Sequence, residues 1–286
     1  MKKLEQPVFH LNGAVTADQL DFFQKQGLIQ FKNFVSRETA ALFISEIKRI
    51  ETQLVADGIK KINGVPLRIG KDIDGSPLIQ RMCFASQYSN ILSEFLHSEQ
   101  IRSLIKLLEP YEGRISENEK DGLVINHFIN TANSSFSQMG WHTDSPRDIF
   151  LGSKILPMLN VGLHLDDCPM SNGGLRVLPG THNQGWFTLF FKKRYYTDKR
   201  PDPNETGLDI EAGDLTVHDG RIWHRVQQSP NTGEASRRRV MYIPLITGPY
   251  KPKDAKSKTP LYHRLDQKMN FSGGWGKRSA GKKENK

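Results

Sequence analysis

Apolar positions recur at helical spacing through much of the first 110 residues, whereas beyond residue 122 they fall in short runs split by turn residues. The pattern therefore predicts helices first and strands afterwards. Thr16 opens a stretch with Asp18 in its first turn, Leu20, Phe22 and Phe23 at helical spacing and Gly27 as a stop, the signature of a capped helix. Leu28-Ile29-Gln30-Phe31 is short and β-prone and predicts a strand. Ser36 then caps a second helix in which Ala40, Phe43, Ile44, Ile47 and Ile50 share one face. Residues 57–88 are rich in Asp-Gly, Asn-Gly and Ser-Pro steps, which predict loops and hairpins. A third helix is expected from Ser89 to Leu108, stopped by Pro110.

Five later runs read as strands: Leu123–Ile129, Leu159–Leu165, Leu175–Leu178, Leu215–His218 and Val240–Ile246. Several short strands with Gly, Pro, Asn and Asp between them point to a closed two-sheet barrel rather than to alternating β-α-β units. The expected fold is mainly β with N-terminal helices, a cupin-like jelly roll whose mouth can host a metal. One domain is expected over 1–250, with a helical start over 14–110 and a jelly-roll core over about 122–247.

Charge changes this picture at one end only. The chain of 286 residues carries a formal +9, but of its 40 Lys+Arg and 31 Asp+Glu, 11 and 3 lie in 251–286, which leaves 29 against 28 for the rest. A near-neutral body argues against a nucleic-acid partner, and the Gly-, Lys- and Ser-rich end reads as a basic, flexible C-terminal segment. The N-terminus shows no secretory apolar run and no segment approaches the roughly 20 apolar residues of a membrane span, so a cytoplasmic protein is expected. Cys83 and Cys168 are too few for a disulfide framework and form no CxxC pair.

Among nine histidines, combination is what matters. In Trp141-His142-Thr143-Asp144 the His and Asp are two apart, so on an extended strand end both leave the same face and can meet one ion. An HxD pair alone is a weak signal, and His218-Asp219 is a nearby decoy. The signal strengthens with a third ligand, because two His and one carboxylate on one octahedral face leave positions open for oxygen and a co-substrate at iron(II). His224 is the candidate, presented after a strand and an Asp219-Gly220 turn.

With these pieces, the sequence resembles the phytanoyl-CoA dioxygenase family over roughly residues 14 to 247. The matching segments include Trp141-His142-Thr143-Asp144, the run Asn172-Gly173-Gly174-Leu175-Arg176-Val177-Leu178-Pro179-Gly180-Thr181-His182, Gly213-Asp214, Trp223-His224 and Arg237-Arg238-Arg239-Val240-Met241-Tyr242. The resemblance implies a double-stranded β-helix, Fe(II) held by His142, Asp144 and His224, and 2-oxoglutarate and O2 as co-substrates. It also implies hydroxylation of an unactivated C–H bond of a small molecule with release of succinate and carbon dioxide. Related halogenases replace the carboxylate ligand with a small residue, so Asp144 argues against halogenation.

An Arg after the distal His is implied as partner of the far carboxylate of 2-oxoglutarate. The usual spacing falls on Ala235, which suggests a short insertion in 227–236 and leaves Arg237, Arg238 and Arg239 in competition. Arg238, with Val240 and Tyr242 on its face, is the favoured one and Arg239 the runner-up. Asn126 is implied near the metal-binding end of the co-substrate, with His127 facing away as structure. Two departures stand out: Val226 where many relatives carry Ser, and no Trp over 160–162 where some carry one.

The remaining residues take blander readings. Asp166-Asp167 reads as a turn, and Pro179-Gly180-Thr181-His182 as a turn with a locally bonded His. Trp141 is either site wall or core. Arg147, Lys154 and Lys192-Lys193-Arg194-Tyr195-Tyr196 are candidates for contact with an anionic substrate. The rival to an oxygenase is a cupin-like metal-dependent isomerase or hydrolase, or a barrel that binds a small molecule.

Overall fold

The structure, a computed structural model, describes residues 2–132, 134, 136–144 and 155–260. Arg147, Lys154 and the greater part of the basic C-terminal segment, from 261 on, lie outside the described residues. The opening helix forms as its signals dictate. In α1 (Ala17–Gln26) the Thr16 hydroxyl accepts from the Gln19 amide and the Gln19 side chain answers on the Thr16 N–H, while Gly27 ends it at φ 74°. A side chain at Gly27 would also meet the His182 ring, its Cβ falling 2.4 Å from Nδ1.

Ser36 caps α2 (Arg37–Ala56), whose Ala40, Phe43, Ile47, Ile50 and Leu54 are buried. The single helix expected over Ser89–Leu108 is instead α3 (Asn90–Leu96), α4 (Glu99–Ser103) and a 3-10 turn, Leu104–Leu108. The reason is Ser98, whose hydroxyl accepts from the Ile101 amide and starts a new helix in the middle of the run. The apolar row survives the break, since Leu92, Leu96, Ile101, Leu104, Leu107 and Leu108 are all buried. A last short helix is α5 (Trp186–Phe191). Among the described residues no helix is long and apolar enough to cross a membrane.

The strands, in chain order, are β1 (Lys2–Lys3), β2 (Leu28–Phe31), β3 (Lys61–Ile62), β4 (Val65–Pro66), β5 (Arg68–Lys71), β6 (Pro77–Met82), β7 (Arg114–Ile115), β8 (Val124–Phe128), β9 (Met139–His142), β10 (Met158–His164), β11 (Gly174–Val177), β12 (Thr206–Gly207), β13 (Leu215–Asp219), β14 (His224–Gln227) and β15 (Arg238–Ile246). The larger sheet runs β2-β13-β10-β15-β8-β6-β5 with β7 beside β15, and the smaller runs β1-β12-β11-β14-β9. Successive strands β8, β9, β10 and β11 alternate between the two, as do β13, β14 and β15, so the chain winds back and forth between facing sheets in the manner of a jelly roll. All six strands read from the sequence are present within a residue or two, and the hairpin β5–β6, from the loop-rich region, extends the larger sheet beside β8.

Alternation on β15 shows how the sheet divides its labour. Met241, Ile243 and Leu245 join α2 and the other helices in the main core, while Tyr242 and Pro244 line a cavity between the sheets. Each fully buried Leu or Ile there contributes about 1.5–3 kcal/mol. The helices thus hold one face of the larger sheet rigid and leave the other free for polar chemistry.

Candidate metal centre

His142 and His224 meet because their strands pair: in the antiparallel β14–β9 ladder the two residues are direct partners, which puts their side chains on one face at short range. Their rings lie 4.1 Å apart, and Asp144 follows just beyond the end of β9. The Asp144 amide donates to Gly220 O at 2.8 Å, tying the ligand-bearing strand end to the turn that precedes His224. One ligand atom from each of the three residues lies within 4.8 Å of the others, a grouping that could hold a metal ion.

Each imidazole is oriented by its own strand. His142 Nδ1 donates to Gly140 O at 2.8 Å and His224 Nδ1 to Ile222 O at 3.0 Å, which leaves both Nε2 lone pairs facing the cavity. Burial, then the neighbouring His224 ring, pushes His142 down to about 3, so it is a neutral ligand at ordinary pH. The Tyr196 ring stacks on His142 at 4.8 Å. Gly140 permits this cover, because a Cβ there would fall 2.2 Å from Tyr196 O.

The cavity is lined by the three ligands together with Arg81, Asp121, Val124, Met139, Asn160, His218, Val226, Tyr242 and Pro244. Asn160 Nδ2 donates to Asp144 Oδ2 in a short hydrogen bond. His218 is wholly buried, and burial first, then His224, pushes it well below the ordinary imidazole value. Tyr242 is pushed upward by burial and then by Asp144, so its phenol stays protonated.

Of the three arginines in competition, two are engaged outside the barrel. Arg237 pairs with Asp72 at 2.7 Å and with Glu234, and Arg239 holds Asp166 at 2.5 Å through Nη2. Arg238 turns inward, 4 % exposed, with its guanidinium 5.6 Å above the Phe128 ring, its Nη1 on Gln227 O at 3.1 Å and its Nη2 on Ser137 O at 3.3 Å. No carboxylate faces it among these contacts, and its buried Nε has no hydrogen-bond partner. That donor arrangement fits an incoming carboxylate, and the two imidazoles with Asp144 fit a ferrous ion. Phe128, Phe136 and Val226 make a small apolar cluster on the same side.

Asn126 lies opposite Val240 on the inward face and accepts from Arg81 Nη1 at 3.2 Å. His127 faces the other way, within 2.8 Å of Arg237, as expected of a structural residue. Trp141 is core: wholly buried, it packs with Leu178 and Trp223 and donates to Arg200 O. Asp166 and Asp167 are consumed by Arg239 and Arg37. His182 is bonded, but to Gln24 O at the end of α1 rather than within its own turn. In the basic-aromatic cluster, Lys193 pairs with Asp202 at 2.5 Å and the Tyr195 hydroxyl lies 2.7 Å from Thr143 Oγ1, so this segment braces the chain between His142 and Asp144.

Arg81, Asn160 and His218 were not legible as site residues. Arg81 sits in a run without a motif, and His218 reads as half of a decoy pair. Its partner Asp219 does turn away, to Arg221 at 2.7 Å. The available signal was alternation: Leu215 and Val217 belong to the helix-side core, which sends Thr216 and His218 inward.

The sequence compares with known proteins in the same direction. A protein named phytanoyl-CoA dioxygenase domain-containing protein 1 homolog, from Dictyostelium discoideum, is 22% identical over 267 residues, spanning 78% of this chain and 88% of its own. In fold the chain is similar to AviO1 from Streptomyces viridochromogenes Tue57, with TM-score 0.60, 17% identity and coverage of 85% of this chain and 98% of that one. It is also similar to SnoN, an epimerase solved with Fe3+, alpha ketoglutarate and nogalamycin RO, with TM-score 0.56, 15% identity and coverage of 80% and 82%. The family model described as phytanoyl-CoA dioxygenase matches residues 23–239, the helical start and barrel together, and the chain belongs to that family.

Proposed function

We propose that the protein is an Fe(II)- and 2-oxoglutarate-dependent dioxygenase that hydroxylates a small-molecule substrate with O2, on a double-stranded β-helix framework. The observation that carries this reading is the trio of His142, Asp144 and His224, with both Nδ1 atoms tied back to their own strands and one ligand atom from each within 4.8 Å of the rest. The alternation of strands between the sheets supports the framework.

With iron(II) held by these three residues, the centre would couple decarboxylation of 2-oxoglutarate to succinate and carbon dioxide with oxidation of a substrate C–H bond. The chain's own residues then bind and orient. Arg238 takes the distal carboxylate of the keto acid, with the Phe128–Phe136–Val226 cluster beside its methylenes. Val226, where many relatives carry Ser, removes a hydroxyl from this contact, so the guanidinium carries more of the anchoring. Asn126, held by Arg81, faces the metal-binding end. Arg81 on the cavity wall, with Lys253 3.9 Å from its partner Asp121, favours a substrate bearing an anionic group. Acid–base work by side chains is slight, as the neutral His142 and protonated Tyr242 suggest.

The test is turnover of 2-oxoglutarate by purified protein with ferrous iron and ascorbate. Succinate is expected to form in the absence of substrate, and an added substrate is expected to gain the mass of one oxygen. An unchanged substrate mass with inverted stereochemistry would make the outcome epimerisation. No succinate under any condition, with preference for another divalent metal, would favour the cupin-like isomerase or hydrolase.

A further inference from the structure

Two polar side chains behind the ligand trio, Asn160 and His218, are assigned by no motif. Asn160, on β10, holds Asp144 Oδ2 through its Nδ2, and the same nitrogen lies 3.4 Å from His218 Nε2. His218, on β13, is wedged between the His224 ring at 4.6 Å and an edge-on Tyr242 at 6.4 Å. It is 2 % exposed, and its Nδ1 has no hydrogen-bond partner. A buried imidazole with an unpaired nitrogen is destabilising where an apolar ring of similar size would not be, so packing alone does not account for it.

We propose that Asn160, itself oriented by His218, is the positioning residue that presents one oxygen of Asp144 to the metal. This inference rests on the metal-centre reading above. A carboxylate beside a divalent ion can bind through one oxygen or both, and the second would occupy a position that a chelating keto acid and O2 need. The Oδ2 that Asn160 holds is the oxygen 3.7 Å from His224 Nε2, so the amide fixes the carboxylate's rotation with that atom toward the ligand set. An amide NH2 has two donors. With one on Asp144 and the other directed at His218 Nε2, the Asn160 side chain cannot flip without losing both contacts. His218 then accepts at Nε2 and carries its proton on Nδ1.

The test uses the full chain and Ni(II), a metal without the redox chemistry of iron, titrated against a competing chelator, for wild type, Asn160→Leu, His218→Phe, His218→Gln and the double variant N160L/H218F. Asn160→Leu is expected to weaken Ni(II) binding by about 10- to 100-fold, the usual effect of removing a group that orients a metal ligand. His218→Phe should weaken it by about tenfold, while His218→Gln, which keeps an acceptor near the amide, should recover most of the loss. The double variant should bind no more weakly than Asn160→Leu, because His218 acts through Asn160. The absorption band of the anaerobic Fe(II)–2-oxoglutarate complex should shift in Asn160→Leu and return toward wild type in His218→Gln relative to His218→Phe. Wild-type affinity in Asn160→Leu, or identical behaviour of His218→Phe and His218→Gln, overturns the inference. Should Asn160→Leu not fold, the two His218 variants carry the decision alone. If wild-type protein takes up no Ni(II) or Fe(II), the metal-centre reading falls and this inference with it, a result distinct from intact wild-type binding with unchanged variants.

Discussion

Asp144→Ala is expected to abolish metal uptake and 2-oxoglutarate turnover while leaving the apo fold intact. The carboxylate is the one acidic side chain of the trio, and His142 is held neutral by burial. Its loss leaves two imidazoles, a weak pair for a ferrous ion, and removes the anion that offsets the ion's charge in a low-dielectric cavity. Groups that merely orient a ligand cost 10- to 100-fold when removed, so deleting the ligand itself should cost more than about 100-fold in affinity. The fold should tolerate the change, because the Asp144 side chain is 22% exposed and its backbone tie to Gly220 O does not involve the carboxylate. A thermal scan checks both halves: a ligand at 100 times its dissociation constant stabilises by about 2.7 kcal/mol, so Ni(II) should raise the wild-type midpoint and leave that of Asp144→Ala unmoved. A normal rise in the variant would remove Asp144 from the metal.

Arg238→Met is expected to raise the KM for 2-oxoglutarate by about 150- to 5000-fold with metal affinity unchanged. The guanidinium is buried beside Phe128 with no carboxylate among its contacts and Nε unpartnered. A keto acid's distal carboxylate entering that space would be desolvated, and without Arg238 it would be a buried charge with no partner, a penalty of about 3–5 kcal/mol. The apo protein should respond differently. Removing an incompletely satisfied guanidinium from an apolar setting should leave stability unchanged or slightly raised. Binding and stability thus move apart, which a residue serving only the core would not do. Arg239→Met should act in the opposite sense, losing the Asp166 pair and some stability with little change in KM. Equal KM values for Arg238→Met and wild type would sink the assignment.

What could be read from the sequence divides along a physical line. The α1 caps, five strands of the larger sheet with β11 of the smaller, and the grouping of the trio were legible because they depend on local rules: a Thr16 hydroxyl near an amide, alternation on a pleated strand, two candidate ligands two residues apart. The broken helix was not, since the apolar spacing of Leu92, Leu96 and Ile101 continues across Ser98 and only the hydroxyl's hydrogen bond distinguishes one helix from two. That Arg238 rather than Arg239 turns inward was legible from alternation once β15 was granted, and the structure adds what alternation lacks, the Asp166 that occupies Arg239. Asn160 and His218 were not, because their proximity to Asp144 arises from the approach of β10 and β13 to a strand end in the facing sheet, separations of 16 and 74 residues that no spacing rule covers. The glycine at 140 is similar: its need appears only when the chain at Tyr196 returns to cover His142.

In the proposed centre His142, Asp144 and His224 hold one ion in a cavity that also receives a keto acid extending to Arg238. Crystals grown with Ni(II) and 2-oxoglutarate, measured at the nickel absorption edge, test it most directly. One strong anomalous peak is expected about 2.0–2.2 Å from both Nε2 atoms and an Asp144 oxygen, with keto-acid density running from it to the Arg238 guanidinium. A peak elsewhere, or His224 turned away from the other two ligands with the metal bound, would contradict it.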